Sequence, residues 1–124
     1  MPAYWCIDSR ARLVTLTVEG RTTLDELTKY VAAVAGAGAI AYAKIYDGTA
    51  SEGGLDSADM LALGARFREF HTETLGPLAI VGPESMRERL LPALGALAAG
   101  KRALRFFTTI DQAMEWIDTI RHLP

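Results

Sequence analysis

Short apolar runs take turns with stretches of helical spacing along this chain, and that alternation limits its possible folds more than any other feature. The runs, at 3–7, 13–18, 40–46, 78–81 and 103–107, are four to seven residues long, the length of strands. Four helical patterns lie between and after them. Leu24, Leu27, Val31 and Val34 form the first, and Met60, Leu63, Phe67 and Phe70 the second. Met86, Leu90, Leu94 and Leu97 form the third; Ile110, Ala113, Met114, Ile117 and Ile120 form the last, with Trp116 on its flank. Strands that alternate with helices imply right-handed crossovers and a mainly parallel sheet. The expected fold is therefore α/β: a single-layer, mainly parallel five-stranded sheet with an N-terminal antiparallel hairpin and four helices, in the order ββαβαβαβα.

The stretch 40–60, IAYAKIYDGTASEGGLDSADM, sits at the centre of this plan. Residues 40–46 are apolar or aromatic except Lys44, as in a buried strand. Asp47-Gly48-Thr49 is expected to end that strand, since Gly tolerates positive φ and Asp bonds its own backbone two residues on. Residues 49–55 then read as a loop, with Asp56 or Ser57 as the N-cap of the second helix. In open α/β sheets ligands sit at the carboxyl ends of strands, beside helix N-termini.

Local signals mark the other boundaries. In the alternating run, Val14, Leu16 and Val18 face one way and Thr15 and Thr17 the other, as in half of a hairpin turned at Asp8-Ser9-Arg10. Thr23 with Glu26, Ser85 with Glu88 and Thr109 with Gln112 have capping-box spacing. Gly36 and Gly38 stop the first helix. Pro92 cannot donate its N–H, so a kink or break is expected in the third helix.

The totals exclude several classes. At 124 residues the chain is expected to be a single domain spanning 1–124. Folding at this size buries roughly two-thirds of the unfolded surface, enough for its own core. A net charge of −2 gives no basic stripe, so nucleic acid is not expected as a partner. No apolar run reaches membrane-spanning length, and the N-terminus lacks a signal-peptide pattern, so the expectation is a cytoplasmic protein without stable membrane insertion. Cys6, the sole cysteine, is expected as a small buried hydrophobe in the first strand.

Three strings, YAKIYDG at 42–48, GPLAIVG at 76–82 and RFFTTIDQAMEWI at 105–117, together with the element order, resemble the SpoIIAA-like, or STAS, superfamily. That group holds anti-sigma-factor antagonists and small bacterial proteins with Sec14-like β/α winding. The resemblance spans nearly the whole chain and implies a SpoIIAA-like fold. Its regulatory members carry an Asp at the end of the central strand and Asp-Ser-Ser-Gly at the next helix start, where a partner kinase phosphorylates a serine. Asp47 and Asp56-Ser57 match that pattern, while Ala58-Asp59 stands where the family has Ser-Gly. The resemblance thus implies Ser57, as an approximate match, as a phosphoacceptor; Ser51 is a second candidate, although a neutral polar loop and a helix cap suit the two serines better. Asp59 would oppose an added phosphate by like charge.

The chemistry-bearing residues are sparse. Asp47, Glu52, Asp56 and Asp59 have no EF-hand spacing, and capping with loop solvation suits them better than a metal. His71 and His122 fall at helix C-termini with no second zinc ligand at a usable spacing. Arg87, Arg89, Lys101, Arg102 and Arg105 form a scattered basic set that reads as solvated surface. No nucleophile–base pair, cofactor loop or metal set can be read, so neither an enzyme nor a cofactor protein is expected.

The leading expectation is a non-enzymatic STAS-like regulatory or interaction module. It would bind a protein partner through Asp47, Thr49, Glu52, Asp56 and Asp59. The alternative is a carrier or sensor of a small apolar or lipid ligand, held by Tyr42, Tyr46, Met60, Phe67 and Phe70. A homodimer through a helix face or the N-terminal edge strand is a further expectation.

Overall fold

The computed structural model describes residues 3–51, 57–69, 75–91 and 103–121. Five strands and four helices fall within them. They are β1 (Ala3–Asp8), β2 (Leu13–Gly20), α1 (Leu24–Gly36), β3 (Ala43–Ser51), α2 (Ser57–Arg68), β4 (Leu78–Val81), α3 (Glu84–Leu90), β5 (Leu104–Phe107) and α4 (Ile110–Arg121). This is the expected α/β order, with β3 central.

The strands form one sheet in the order β1-β2-β3-β4-β5. β1 and β2 are antiparallel, with Ala3 opposite Val18 and Asp8 opposite Leu13. The turn between them forms because the Asp8 carboxylate accepts from the backbone N–H groups of Arg10 and Ala11, each at 3.0 Å. Arg12 completes it at a φ of 52°. The remaining pairings are parallel.

A strand order that advances in one direction, with crossovers of one hand, puts every connecting helix on the same face. The core divides accordingly. On one face Val14, Leu16, Val18, Leu78 and Ile80 pack with Leu27, Val31 and Val34 of α1 and Met86 and Leu90 of α3. On the other, Ala43, Ile45, Ala79 and Val81 pack with Ala113 and Ile117 of α4, flanked by Leu13, Phe107, Ile110 and Trp116. α4 crosses β3, β4 and β5. Arg121, at its end, donates to the carbonyls of Ala11 and Arg12 at 2.7 and 3.1 Å.

That uneven cover overturns one expectation. Tyr4, Cys6, Thr15 and Thr17 point to the α4 face of β1 and β2, beyond the helix. Cys6 is therefore exposed, and Tyr4 is 49% exposed. Met114 also departs from its inward expectation and is 40% exposed, because Ala113 and Ile117 are the α4 residues that meet the sheet.

Helix boundaries follow their caps where side chains reach. The Thr23–Glu26 capping box is formed, and Gln112 N–H donates to Thr109 Oγ1 at 3.2 Å. α1 ends at Gly36, and Gly38 has a φ of 70°. The Ser85–Glu88 box is not used, since Pro83 is the N-cap of α3 and makes no side-chain cap bond. Pro83 pre-sets the extended N-cap backbone, with a φ of −69°, so the helix begins one residue before Ser85. α3 ends at Leu90, ahead of Pro92. Pro92, Leu94, Leu97, Lys101, Arg102, His71 and His122 lie outside the described residues.

Candidate functional site

β3 differs from its sequence reading at both ends. Residues 40–42 form a turn rather than the start of the strand. Tyr42 N–H donates to Ala39 O at 3.1 Å, and the carbonyls of Ile40 and Tyr42 both accept from the Lys44 ammonium, the latter at 2.8 Å. Lys44 lies on the α1–α3 face and is only 1% exposed, so these carbonyls stabilise a cation withdrawn from water. Gly76 backs onto the same turn, and its N–H reaches Ile40 O at 3.4 Å.

At the other end, Asp47-Gly48-Thr49 does not stop the strand. Thr17 pairs with Asp47 while Glu19 pairs with Ala50, so Gly48 and Thr49 together stand opposite Val18. This is a β-bulge, which bends the strand and re-aims its side chains without ending the ladder. The Asp47 carboxylate holds the bulge by accepting from Thr49 N–H at 3.1 Å and Thr49 Oγ1 at 2.7 Å. Past the bulge β3 follows β2 until Ser51 meets Gly20, whereas its pairing with β4 ends at Asp47. Residues 48–51 thus overhang the carboxyl edge of the sheet. Thr49 and Ala50 are exposed, and Ser51 is half-buried.

Gly48 has a packing reason to be glycine. A Cβ there would stand 2.9 Å from both Cε and Sδ of Met86, and one at Gly82 would stand 2.6 Å from Sδ. Met86, buried at the start of α3, fills the space these two glycines leave beneath the carboxyl edge.

The side chains of the edge form a cross-strand row. Tyr4, Thr17, Asp47, Val81 and Phe107 are successive partners across all five strands. The Tyr4 hydroxyl donates to the Glu19 carboxylate. That bond, with lesser help from burial and from the negative charges of Glu19 and Asp47, raises the Tyr4 phenol above its ordinary value.

The sequence-derived residues therefore separate. Asp47, with Thr49 bonded to it, belongs to the α4 side of the sheet, whereas α2 packs against α1 and α3 on the other side. Asp59 is half-buried in the first turn of α2. Ser57 is the first residue of that helix. The side chains of Ser57, Met60 and Phe67 lie outside the described set, as do residues Glu52, Asp56 and Phe70. Of the apolar-ligand set, Tyr42 and Tyr46 pack against the core on the α1–α3 face. Tyr42 also lies under the Arg12 guanidinium, 5.0 Å from its ring centre. Burial pushes the Tyr46 phenol up to about 12, with Arg89 pulling it back. Among the described residues no helix is long and apolar enough to cross a membrane.

One feature escaped the sequence reading. β5 is an edge strand, and a groove of about 700 Å³ runs along it between α3 and α4. The Arg within LRFF was the available signal, because charges are common on edge strands.

No family model matches the chain, and neither does any curated protein. Among solved structures it is similar to the anti-sigma factor antagonist SpoIIAA in its unphosphorylated form. The likeness covers 98% of this chain and 99% of that one, with a TM-score of 0.57 and 12% sequence identity. The chain has the SpoIIAA-like, STAS-type α/β fold.

Proposed function

We propose that this protein is a non-enzymatic regulatory module that binds another protein through the carboxyl edge of its sheet, residues 47–51, and the start of α2. The observation that carries this reading is the overhang of β3. Its last four residues run past β4 and present Thr49, Ala50 and Ser51 at a rim steadied by Asp47. Polar groups on a rigid, bulged strand suit recognition, because little conformational entropy is lost on contact. The similar structure belongs to an anti-sigma factor antagonist, a role carried out by binding, and that likeness supports a binding role here. Ser57, on the resemblance described above, and Ser51, as a hydroxyl of the same rim, are the proposed phosphoacceptors of this surface.

The test is affinity capture from the native host with the intact chain and with Thr49→Arg and Ala50→Arg, both exposed positions. Bound proteins lost with either variant, while the fold persists by circular dichroism, support the reading. Capture indifferent to both variants overturns it. Native and denaturing mass spectrometry of the same material separates the other outcomes. A phosphate at Ser51 or Ser57 survives denaturation, whereas a small apolar ligand does not.

A further inference from the structure

We propose that the outer edge of β5 is a second binding site, which takes an extended peptide as a sixth strand with an acidic residue beside Arg105. The site is separate from the β3 overhang. It rests on three observations.

The first is the hydrogen-bonding state of β5. Leu78 N–H donates to Ala103 O at 2.9 Å and Gly82 N–H to Phe107 O at 3.1 Å, so the carbonyls of alternate residues point toward β4. In a parallel ladder the residues between them turn their N–H and C=O groups the other way. Leu104 and Phe106 thus present donors and acceptors outward, and no backbone partner meets them among the described residues. An added strand satisfies such groups.

The second is shape. Glu84 and Arg87 of α3 line one side of the groove, and Glu115 and Trp116 of α4 line the other, with β5 between them. α3 belongs to the core of one sheet face and α4 to that of the opposite face. The space therefore fits one extended chain between two helical walls.

The third is charge. Arg87 is already paired with Glu84 at 3.6 Å. Arg105 has no carboxylate partner among the described residues, and its guanidinium lies 5.5 Å from the centre of the Phe107 ring, which in turn packs at 5.6 Å on Trp116. A residue directly across an added strand is a near neighbour of Arg105, with Cβ atoms about 5 Å apart. An acid there pairs with the stacked cation, and β-branched residues on either side meet Phe106 and Leu104 on the other face.

The experiment is an amide NMR titration of the full chain with two blocked peptides, KTVEVTK and KTVKVTK, with amide hydrogen exchange recorded on the free protein. The expected result is fast exchange at Leu104 and Phe106 in the free protein, slowed when the Glu peptide binds. The Glu peptide should bind at least about threefold more tightly than the Lys peptide, and Arg105→Glu, an exposed substitution, should reverse the order. The net charge of −2 favours the Lys peptide in any non-specific contact, so the expected order cannot come from bulk attraction. Several outcomes overturn the proposal. One is an absence of shifts at Leu104 and Phe106 up to millimolar peptide. Another is a preference unchanged by Arg105→Glu. A third is protection of both amides in the free protein, which means that the chain itself covers the edge if concentration-independent, or that a second copy does if it grows with concentration.

Discussion

The Lys44 ammonium donates to the backbone carbonyl of Tyr42 at 2.8 Å from a side chain that is only 1% exposed. A lysine in the core of the central strand thus serves as a clasp, drawing the α1–β3 turn onto the strand that follows it. Lys44→Met keeps much of the volume and removes the donor, leaving Tyr42 O short of a partner. A loss of about 1–3 kcal/mol is expected, the usual cost of an orphaned buried acceptor. Urea unfolding measures it, and an unchanged midpoint would mean that the clasp contributes nothing net.

The same turn is braced from behind. A Cβ on Gly76 would stand 2.1 Å from Tyr42 O and 2.6 Å from Ala41 O, both backbone atoms that cannot swing aside. Gly76→Ala is expected to cost more than about 4 kcal/mol, among the largest effects of a single substitution. Thermal unfolding of the purified variant, or its failure to accumulate as soluble protein, is the readout.

Gly82 meets a softer neighbour. The three atoms nearest its added Cβ all belong to the Met86 side chain, the closest at 2.6 Å. Gly82→Ala should cost about 1–3 kcal/mol in the native background and much less beside Met86→Ala. A double-mutant cycle tests this, and additive effects would show that the two residues do not share the space.

Tyr46 supplies a pH dependence. Burial raises its phenol to about 12, from an ordinary value near 10. Between those values the folded chain holds a proton that the unfolded chain has released, so stability falls as pH rises through this window. The expected loss is at most about 3 kcal/mol, complete above pH 12. Tyr46→Phe should flatten the alkaline limb of the stability curve. Tyr4 titrates late for another reason, its bond to Glu19, and Tyr4→Phe separates its absorbance change from that of Tyr46.

The sole thiol should be open to reagents. Cys6 is exposed on the uncovered face of the hairpin, so Ellman's reagent should modify the native protein within roughly tenfold of the denatured rate. Slow modification of the monomer would place a cover over that face.

The element order, the hairpin and two of the caps were legible in the sequence because each depends on neighbours within a few residues. Val14, Leu16 and Val18 declare their face by alternation, and Thr23 declares α1 through Glu26. The failures came where distant partners decide. Gly48 reads as a strand end, but β2 continues to pair beyond it and turns the break into a bulge. Cys6 sits in an apolar run, but the helix on its side of the sheet, α4, packs on β3, β4 and β5 and leaves the thiol on β1 exposed. That Asp47 and Thr49 would stand together was legible, since they are two apart. Their separation from α2 by the sheet itself was not, because the bulge and the packing of α2 fix it. The groove beside β5 was hidden for a related reason: nothing local tells a chain which of its strands will be last in the row.

That row has a further consequence. Each strand lies beside its predecessor in sequence, from β1 to β5, so every new strand finds its template already made. The antiparallel hairpin closes over a short turn, and each later strand is added by a crossover to its immediate neighbour, which keeps every loop-closure step modest. The sheet can therefore assemble in the direction of synthesis, without threading a late strand between two earlier ones. During that growth each strand in turn is an open edge, and β5 is the one at which the addition stops.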